Sequence, residues 1–443
     1  MIRKSAEKIV NDEQKNSILT ESYKAILSKL IKKYRYEEKL NYKPLVNFST
    51  NKNVPIHSWY DYKQGYASEL IKGIILSENP SKKHFVLDPF CGVGTTNLVA
   101  KELGYDSVGL DINPMAHFAA KVKHYNFTGH DIQLIQKNIQ NVNLKKKWYF
   151  DEIPKVIESS FRIDQLDILQ RIRGYIDLLP EGKSRDFLLL AYLSIIEDAS
   201  IRVKDGNGLK LKNNKRSIDN LVGYFQNKSM SMLEDLKRTK YDTPTTHHFY
   251  NGSLLEDSTY ASLNGKKFGI SIFSPPYANC FDYCEVYKLE FWLGSFVRTY
   301  KDFEKYRSMA LRSHVNSKFD HSISNFSNDV DVIADLISTF NIWNKNIPDM
   351  IRGYFDDMYE LLMRQYSLLV EGGKCFIVVA NSGYKGIIVP TDLLIADIAE
   401  TVGYKVRNIY YARKIRASGQ QTIDLHSGYD KLMRESIIEI EKL

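Results

Sequence analysis

The sequence predicts an α/β fold with a Rossmann-like sheet and helices on both faces, interrupted by a helical insert and by a second insert of loops and helices. Three observations predict it. An apolar strand, a glycine-rich turn, a helix and a second apolar strand follow one another within residues 85–111. Another apolar strand, at residues 268–273, ends on two prolines. A strand, a helix and two further strands then follow between residues 375 and 440. Such alternation is typical of sheets built with crossover helices.

The first of these segments has the pattern of a nucleoside site. The strand 85–87 leads into the turn Asp88-Pro89-Phe90-Cys91-Gly92-Val93-Gly94-Thr95-Thr96, and a helix is predicted for 97–103. Glycines let a backbone turn sharply and approach a ligand without a Cβ in the way. The turn lacks the third glycine of a dinucleotide fingerprint and has no Gly-Lys-Ser/Thr triplet, so a nucleoside without a phosphate chain fits better.

The acid Asp111 ends the next predicted strand and has two interpretations. Its distance from the turn is about that at which dinucleotide folds place a ribose-binding carboxylate. Alternatively, it caps the helix that Pro114 opens. The spacing favours the ribose role.

The strand 268–273 runs into Ser274-Pro275-Pro276-Tyr277. Two prolines fix the backbone and remove two N–H donors, which leaves acceptors beside an aromatic ring. Such a segment suits a flat ring with an amino group, because a serine oxygen and a rigid carbonyl can accept from the amine while the tyrosine stacks.

Together the two segments resemble the S-adenosylmethionine-dependent amino-methyltransferases of DNA. That family has the cofactor motif Asp-Pro-Phe-x-Gly-x-Gly-Thr-Thr and the catalytic motif Asp/Asn/Ser-Pro-Pro-Tyr, and both are present in full. The serine form is more typical of enzymes that methylate N4 of cytosine, and the aspartate form of those that methylate N6 of adenine. The resemblance covers nearly all of 55–130 and 249–443. It implies a methyltransferase sheet, S-adenosylmethionine as cofactor and site-specific methylation of duplex DNA, with the base flipped out of the helix.

The resemblance also implies roles for single residues. The expected catalytic residues are Ser274, Pro275, Pro276 and Tyr277. Ser253 stands where the family places an acid near the cofactor adenine, and Tyr66 and Ser68 precede the turn where the family contacts the methionine part. The expected cofactor-binding residues are Tyr66, Ser68, Asp88, Pro89, Phe90, Gly92, Gly94, Thr95, Thr96, Asp111, Ile112, Asn113 and Ser253.

The remaining segments complete the predicted domain organisation. Residues 1–50 form an N-terminal helical arm, and 51–128 with 247–443 form the catalytic domain. Residues 129–246 form a helical insert, whose polar segment 204–216 is either a phosphate contact or a solvated connection, formed by a hairpin or between helices. Residues 298–346 are a candidate target-recognition element or a solvated charged loop. The expected DNA-binding residues are Lys210, Lys212, Arg307, Arg312, His314 and Asn316.

Composition bounds the partners and the compartment. The 443 residues carry a net charge of +8, a modest basic excess that suggests a polyanionic partner. The longest apolar run, 187–196, is about half the ~20 residues of a membrane span, and no secretion signal opens the chain. Four cysteines without a metal-ligand pattern indicate a reducing cytoplasm and no metal. We expect a cytoplasmic enzyme of a restriction-modification or related defence system, with any cognate endonuclease acting without a stable complex; the sequence does not determine the oligomeric state.

Three other functions stay open at this point. An adenine-N6 enzyme would share every structural part, so the serine is the discriminating residue. RNA guanine-N2 methyltransferases also carry Pro-Pro-Tyr, but usually beside a dedicated RNA-binding domain. A non-enzymatic DNA-binding relic would be expected to lose the acceptor or the glycines.

Overall fold

A computed structural model describes residues 2–63, 65–205, 208–212, 215–241, 243–317, 327–415 and 429–443. The chain forms two compact units, each assembled from separate segments. Unit 1 comprises Met1–Lys43, Leu254–Phe281 and Ala310–Leu443, and unit 2 comprises Pro44–Ser253 and Asp282–Met309. The Ser-Pro-Pro-Tyr segment therefore belongs to unit 1, and the glycine-rich turn belongs to unit 2.

The strands of the described residues are, in chain order, β1 (Tyr36–Glu38), β2 (Phe85–Asp88), β3 (Ser107–Leu110), β4 (Arg202–Asp205), β5 (Gly208–Leu211), β6 (His247–Tyr250), β7 (Phe268–Phe273), β8 (Leu369–Ala380), β9 (Ser382–Tyr384), β10 (Ile387–Val389), β11 (Tyr404–Lys414) and β12 (Arg434–Lys442). The α-helices are α1 (Ile2–Lys33), α2 (Ser68–Glu78), α3 (Thr95–Glu102), α4 (Pro114–Lys123), α5 (Gly129–Gln140), α6 (Lys155–Glu158), α7 (Ile163–Leu178), α8 (Lys183–Ala199), α9 (Leu221–Arg238), α10 (Asp257–Ala261), α11 (Tyr283–Val286), α12 (Lys288–Leu293), α13 (Tyr300–Met309), α14 (Asn328–Ser338), α15 (Ile347–Leu368) and α16 (Thr391–Val402).

Unit 2 contains the parallel strands β2, β3 and β6, in that order. Apart from the half-buried Phe85, the apolar residues of β2 and β3 are buried, as expected for strands covered on both faces. Helix α3 begins at Thr95, two residues before the predicted start, because Gly94 takes a left-handed conformation and serves as its N-cap. Helix α4 begins with Pro114, and the Asn113 side chain caps it by accepting from two backbone N–H groups.

The predicted helical insert contains helices α5 to α9 of unit 2, and its polar segment forms an antiparallel hairpin. Strands β4 and β5 of that hairpin pair from Arg202 with Leu211 to Asp205 with Gly208. The solvated hairpin, one of the two interpretations of this segment, is therefore the observed local structure. A phosphate contact by the same hairpin stays a prediction.

Unit 1 contains five sheet strands in the order β1, β11, β12, β8 and β7. Strands β7 and β8 are parallel, whereas β12 runs antiparallel to both β8 and β11. Strand β8 is longer than predicted, since it begins at Leu369 and continues through Gly372, whose positive φ places it in the left-handed region. Helix α16 ends at Gly403, which has a φ of 117° and forms the C-cap.

The mixed, mostly parallel arrangement of strands and helices confirms the predicted Rossmann-like α/β fold. The N-terminal segment differs from its prediction in one respect. The helix predicted over residues 1–50 ends at Lys33, and the chain then adds β1 beside β11. In the described part of the chain, no helix is both long enough and apolar enough to cross a membrane.

Candidate functional site

The turn between β2 and α3 shows why glycine stands at two of its positions. Gly92 and Gly94 have φ values of 51° and 79°, in the left-handed region that L side chains rarely adopt. A Cβ on Gly92 would lie 2.7 Å from a ring carbon of Tyr62, and a Cβ on Gly94 would lie 3.0 Å from the Cβ of Ala120. The turn can therefore hold its shape only with a bare backbone at both positions.

The carboxylate of Asp88 lies under this turn and is buried. Its Oδ1 accepts from the backbone N–H of Phe90 at 3.0 Å, and its Oδ2 accepts from the Tyr66 hydroxyl at 2.8 Å. The same hydroxyl is 2.5 Å from the Thr96 Oγ1. Burial raises the pKa of Asp88 to about 7, although these hydrogen bonds act in the opposite direction. Four of the predicted cofactor residues thus form one cluster.

The second predicted carboxylate, Asp111, follows β3 and is half-buried. Its Oδ2 accepts from the Gly92 N–H at 2.7 Å, and its Oδ1 accepts from the Asn113 N–H at 2.8 Å. Burial raises its pKa to about 6. The capping of α4 is done by Asn113, so the cap interpretation of Asp111 is not needed. A carboxylate offers about four lone-pair sites, and these two N–H groups fill two of them.

The loop after β6 lies against the same strand end. The N–H of Gly252 donates to the carbonyl of Asp111 at 3.2 Å. The Asn251 side chain donates to the carbonyls of Asp111 and Ile112 at 2.9 and 3.1 Å. Asn251 was not among the predicted residues, because no motif marks an amide that binds only backbone. The buried Ser253 follows Gly252 in this loop.

The segment Tyr66–Ser68 is held by a residue that sequence reasoning missed. The buried Asn51 donates to the carbonyl of Tyr66 at 2.9 Å and accepts from the N–H of Ser68 at 2.8 Å. Since both bonds go to backbone, Asn51 fixes the path of the chain just before α2. The Tyr66 side chain is thereby directed to Asp88.

Two tyrosines outside the predicted set pack near the turn. The rings of Tyr62 and Tyr287 are parallel within 7°, with centroids 5.1 Å apart. The Tyr287 hydroxyl accepts from the N–H of Lys63 at 2.8 Å, which fixes the loop that carries Tyr62. The Tyr62 ring lies against Gly92, as the Cβ distance above shows. Only the aromatic richness of residues 59–66 indicated such packing in the sequence.

These features of unit 2 fit S-adenosylmethionine. The bare backbone of the two glycines lets Tyr62 and Ala120 pack closely against the turn, and Asp111 keeps lone pairs that can accept from hydroxyl groups. Thr95 begins α3, whose first backbone N–H groups lie next to the turn. Pro89 and Phe90 complete the strand end, with Pro89 buried and Phe90 half-buried.

The Ser-Pro-Pro-Tyr segment follows β7 in unit 1. Pro275 is buried, whereas Ser274, Pro276 and Tyr277 are half-buried. The Ser274 Oγ lies 3.4 Å from the Tyr277 hydroxyl, which in turn donates to Glu435 Oε1 at 2.6 Å. The other carboxylate oxygen of Glu435 accepts from Arg413 Nε. Glu435 was not predicted, since it lies on β12, 158 residues away, and no local pattern points to it.

The predicted DNA-binding residues lie in different environments. In unit 2, Lys210 and Lys212 are exposed, and Lys210 pairs with Asp205 at 2.8 Å. Arg307 is held by Asp282 at 2.9 Å and by Glu285.

In unit 1, Arg312 binds Asp357 through two side-chain nitrogens at 2.9 and 2.6 Å, and its backbone N–H donates to the same carboxylate. His314 is buried, and Asn316 is exposed. Base reading by Arg307 or Arg312 would thus require each to leave its carboxylate partners.

Comparisons with known proteins find DNA methyltransferases that are similar to this chain. Residues 3–122 match the model of a family described as DNA methylase. The type II methyltransferase M.BsoBI of Geobacillus stearothermophilus is 26% identical over 90% of this chain and 88% of its own length. The type II methyltransferase M.AvaI of Nostoc sp. is 24% identical over 91% of this chain and 90% of its own length. A third relative, the type II methyltransferase M.MjaII of Methanocaldococcus jannaschii, is 29% identical over 23% of this chain and 20% of its own length.

Proposed function

Since this chain is a DNA methyltransferase of the amino-methyltransferase family that uses S-adenosylmethionine, we propose that it methylates the exocyclic N4 amino group of cytosine in duplex DNA. The observation that carries the proposal is the neutral acceptor Ser274 at the end of β7. In this family, a serine at that position is more typical of cytosine-N4 enzymes, and an aspartate is more typical of adenine-N6 enzymes.

The chemistry asked of Ser274 and Pro275 is limited. The amino nitrogen of cytosine is a poor nucleophile, because its lone pair is delocalised into the ring. Acceptance of its two hydrogens by the Ser274 hydroxyl and the Pro275 carbonyl favours a pyramidal nitrogen with a localised lone pair. Orientation of this kind can contribute on the order of 7 to 11 kcal/mol to catalysis. Neither residue needs to form a covalent bond to the base.

Tyr277 supplies the face on which the target base stacks. The amine of a paired cytosine lies inside the duplex, so the nucleotide must be flipped out before its amine can reach Ser274. Stacking on an aromatic ring is worth about 1 to 3 kcal/mol per base in proteins that bind unpaired nucleotides. The half-buried ring of Tyr277 has one end anchored by its hydroxyl, which leaves it suited to such a contact.

The cofactor residues of unit 2 hold the methyl donor. S-adenosylmethionine supplies, when bound, an electrophilic methyl group on a sulfonium centre. We assign Asp111 to the ribose hydroxyls, Gly92 and Gly94 to the close backbone approach, and Ser253 to the adenine amino group. Tyr66 and Ser68 are assigned to the methionine part, and the cluster of Asp88 with Tyr66 and Thr96 fixes their position.

DNA is held, in this proposal, by the exposed cations of the β4–β5 hairpin and read by the segment 298–346. Lys210 and Lys212 present charge to phosphates. Asn316 is exposed and can reach a base edge, whereas Arg307 and Arg312 would have to exchange carboxylate partners for base edges. Because the curated relatives are type II methyltransferases, we also propose that this enzyme protects DNA within a restriction-modification system, with its endonuclease acting separately.

The test is modification of genomic DNA in a host that lacks this enzyme. Cells expressing the protein are compared with cells expressing Ser274→Ala, and modified bases are located by sequencing. We expect modified cytosines at one short sequence with the unaltered enzyme and a loss of most of them with the variant. Ser262→Ala, an exposed serine of the same unit, is the matched control and should leave the pattern unchanged. Modified adenines instead would contradict the cytosine assignment.

A further inference from the structure

We propose that Glu435 is a positioning residue that fixes the ring of Tyr277 and, through its hydroxyl, the orientation of the Ser274 hydroxyl. The inference rests on the proposed function, in which Tyr277 stacks on the base and Ser274 accepts from its amine. It adds a residue of the C-terminal hairpin, β11–β12, to the requirements of the reaction. Neither a motif of the sequence nor the resemblance assigns a role to this glutamate.

The contact itself is short and largely shielded from water. The Tyr277 hydroxyl lies 2.6 Å from Glu435 Oε1, and Glu435 is only 2% exposed. Hydrogen bonds to a charged acceptor are shorter and about twice as strong as neutral ones. A bond at the far end of the phenol restricts the swing of the side chain about its Cα–Cβ bond, because that swing would carry the oxygen away from Glu435. The Tyr277 ring is therefore held in one position before any base arrives.

The carboxylate is in turn fixed from its other side. Arg413 of β11 stands opposite Glu435 in the hairpin register and donates to its Oε2. On the β8 side, Glu435 pairs with Ala380. Burial raises the pKa of Glu435, whereas the cation of Arg413 and the hydrogen bond from Tyr277 act against that rise. One oxygen is thus committed to Arg413 and the other to Tyr277.

The direction of the hydrogen bonds follows from the carboxylate. An ionised carboxylate can only accept, so Tyr277 must donate its single proton to Glu435. The Tyr277 oxygen then has only lone pairs to offer Ser274, whose Oγ is 3.4 Å away, a long distance for a hydroxyl pair. Ser274 therefore directs its proton toward Tyr277 and keeps lone pairs for the substrate. That polarity is the one the proposed reaction needs, because both amine hydrogens are donors.

If Glu435 only stabilised the fold, a similar glutamate elsewhere on β12 should affect catalysis equally. Strand β12 contains such a glutamate. Glu439 of β12 is also buried, at 4% exposure, and also accepts from a tyrosine, Tyr410, at 2.7 Å. It pairs with a cation too, Lys374, at 2.8 Å. Glu439 thus reproduces the chemistry of Glu435 without a link to the catalytic segment. Glu439→Gln is accordingly the matched control.

The experiment is a double-mutant cycle on the full chain. We would measure kcat and KM for methyl transfer from labelled S-adenosylmethionine to unmodified genomic DNA, together with S-adenosylmethionine affinity. The single variants are Glu435→Leu, Glu435→Gln, Tyr277→Phe and the control Glu439→Gln. The two double variants combine Tyr277→Phe with Glu435→Leu and with Glu435→Gln. If Glu435→Leu fails to fold, judged by its thermal unfolding, the cycle is evaluated with Glu435→Gln alone.

We expect Glu435→Leu and Tyr277→Phe each to lower kcat by about 10- to 100-fold, with unchanged cofactor affinity. Glu435→Gln should retain more activity, because its amide oxygen still accepts from the phenol. In the Tyr277→Phe background, either change at Glu435 should alter kcat by less than about twofold, since the link is already lost.

The inference would be overturned if the fold-loss of kcat in a double variant equalled the product of the losses in its two single variants. It would also be overturned if Glu439→Gln lowered kcat as much as the changes at Glu435. Either result would leave the proposed function standing. A wild-type protein that transfers no methyl group to DNA would overturn both.

Discussion

The two carboxylates of the proposed cofactor site show how single residues acquire different properties. Asp88 is buried and hydrogen-bonded to a tyrosine, whereas Asp111 is half-buried and bound by two backbone N–H groups. Burial raises both pKa values, to about 7 for Asp88 and about 6 for Asp111. Each carboxylate is therefore only partly ionised in the pH range just below neutrality.

Cofactor affinity should accordingly depend on pH through Asp111. The ionised carboxylate accepts hydroxyl hydrogen bonds. The affinity for the cofactor is therefore highest above the pKa of about 6 and falls as the pH is lowered through that value. We expect the Kd for S-adenosylmethionine to rise by up to about tenfold per pH unit below that value. Calorimetric titration at pH values above and below the pKa of Asp111 measures this Kd. Asp111→Asn should bind weakly with a flat profile, and an unchanged slope in that variant would place the titrating group elsewhere.

Gly92 offers a test of the bare backbone in the turn. Gly92→Ala combines a left-handed φ with a Cβ at 2.7 Å from the Tyr62 ring. The φ alone should cost about 1 kcal/mol, and the contact with Tyr62 adds to it. Gly265→Ala is the matched control, since its φ is 83° but nothing lies within 4 Å of the added Cβ. We expect both to lower thermal stability and only Gly92→Ala to abolish cofactor binding; equal cofactor affinity in the two variants would contradict the assignment.

Two secondary-structure elements, the β4–β5 and β11–β12 hairpins, carry residues whose contacts lie far away in the sequence. The β4–β5 hairpin is anchored by the buried Lys204, whose Nζ donates to the Tyr60 hydroxyl at 3.0 Å and pairs with Glu290. Lys210 on β5 and Lys212 directly after β5 are exposed to solvent. A hairpin that is fixed by a buried ion pair and carries exposed cations suits contact with a backbone of regularly spaced phosphates.

The combined variant Lys210→Ala/Lys212→Ala should weaken binding to every DNA sequence. Loss of two phosphate contacts should also reduce the slope of log affinity against log salt by about 1.8. Lys237→Ala is the control, since Lys237 is a surface lysine of the same unit paired with Glu234 at 2.8 Å, as Lys210 is with Asp205. DNA affinity measured over a series of salt concentrations distinguishes the double variant from the control. Equal slopes for all three proteins would remove the hairpin from the DNA contact.

The strands and helices around the motifs could be predicted from the sequence, because apolar runs and glycines act locally. Strands β2 and β7 and helix α16 lie within one residue of their predicted bounds. The residues that hold the motifs could not be predicted. Asn51 binds backbone, and Glu435 reaches Tyr277 from a distant strand, so neither leaves a periodic or local signal. The ion pairs of Arg307 and Arg312 likewise depend on tertiary packing.

At the scale of the whole molecule, each compact unit carries one of the two motifs. Unit 2 holds the glycine turn with Asp88 and Asp111, and unit 1 holds Ser274 and Tyr277 with the hairpin that anchors them. The similarity to type II methyltransferases extends over about nine-tenths of the chain. In the proposed function, the identity of the methylated base depends on the acceptor Ser274 in unit 1.

The most direct test of that identity is analysis of the product. The protein is incubated with unmodified duplex DNA and labelled S-adenosylmethionine, the DNA is digested to nucleosides, and these are separated by chromatography with mass detection. We predict that the label appears in N4-methyldeoxycytidine and is lost with Ser274→Ala. Label in N6-methyldeoxyadenosine would contradict the cytosine assignment, because Ser274 would then serve an adenine amine.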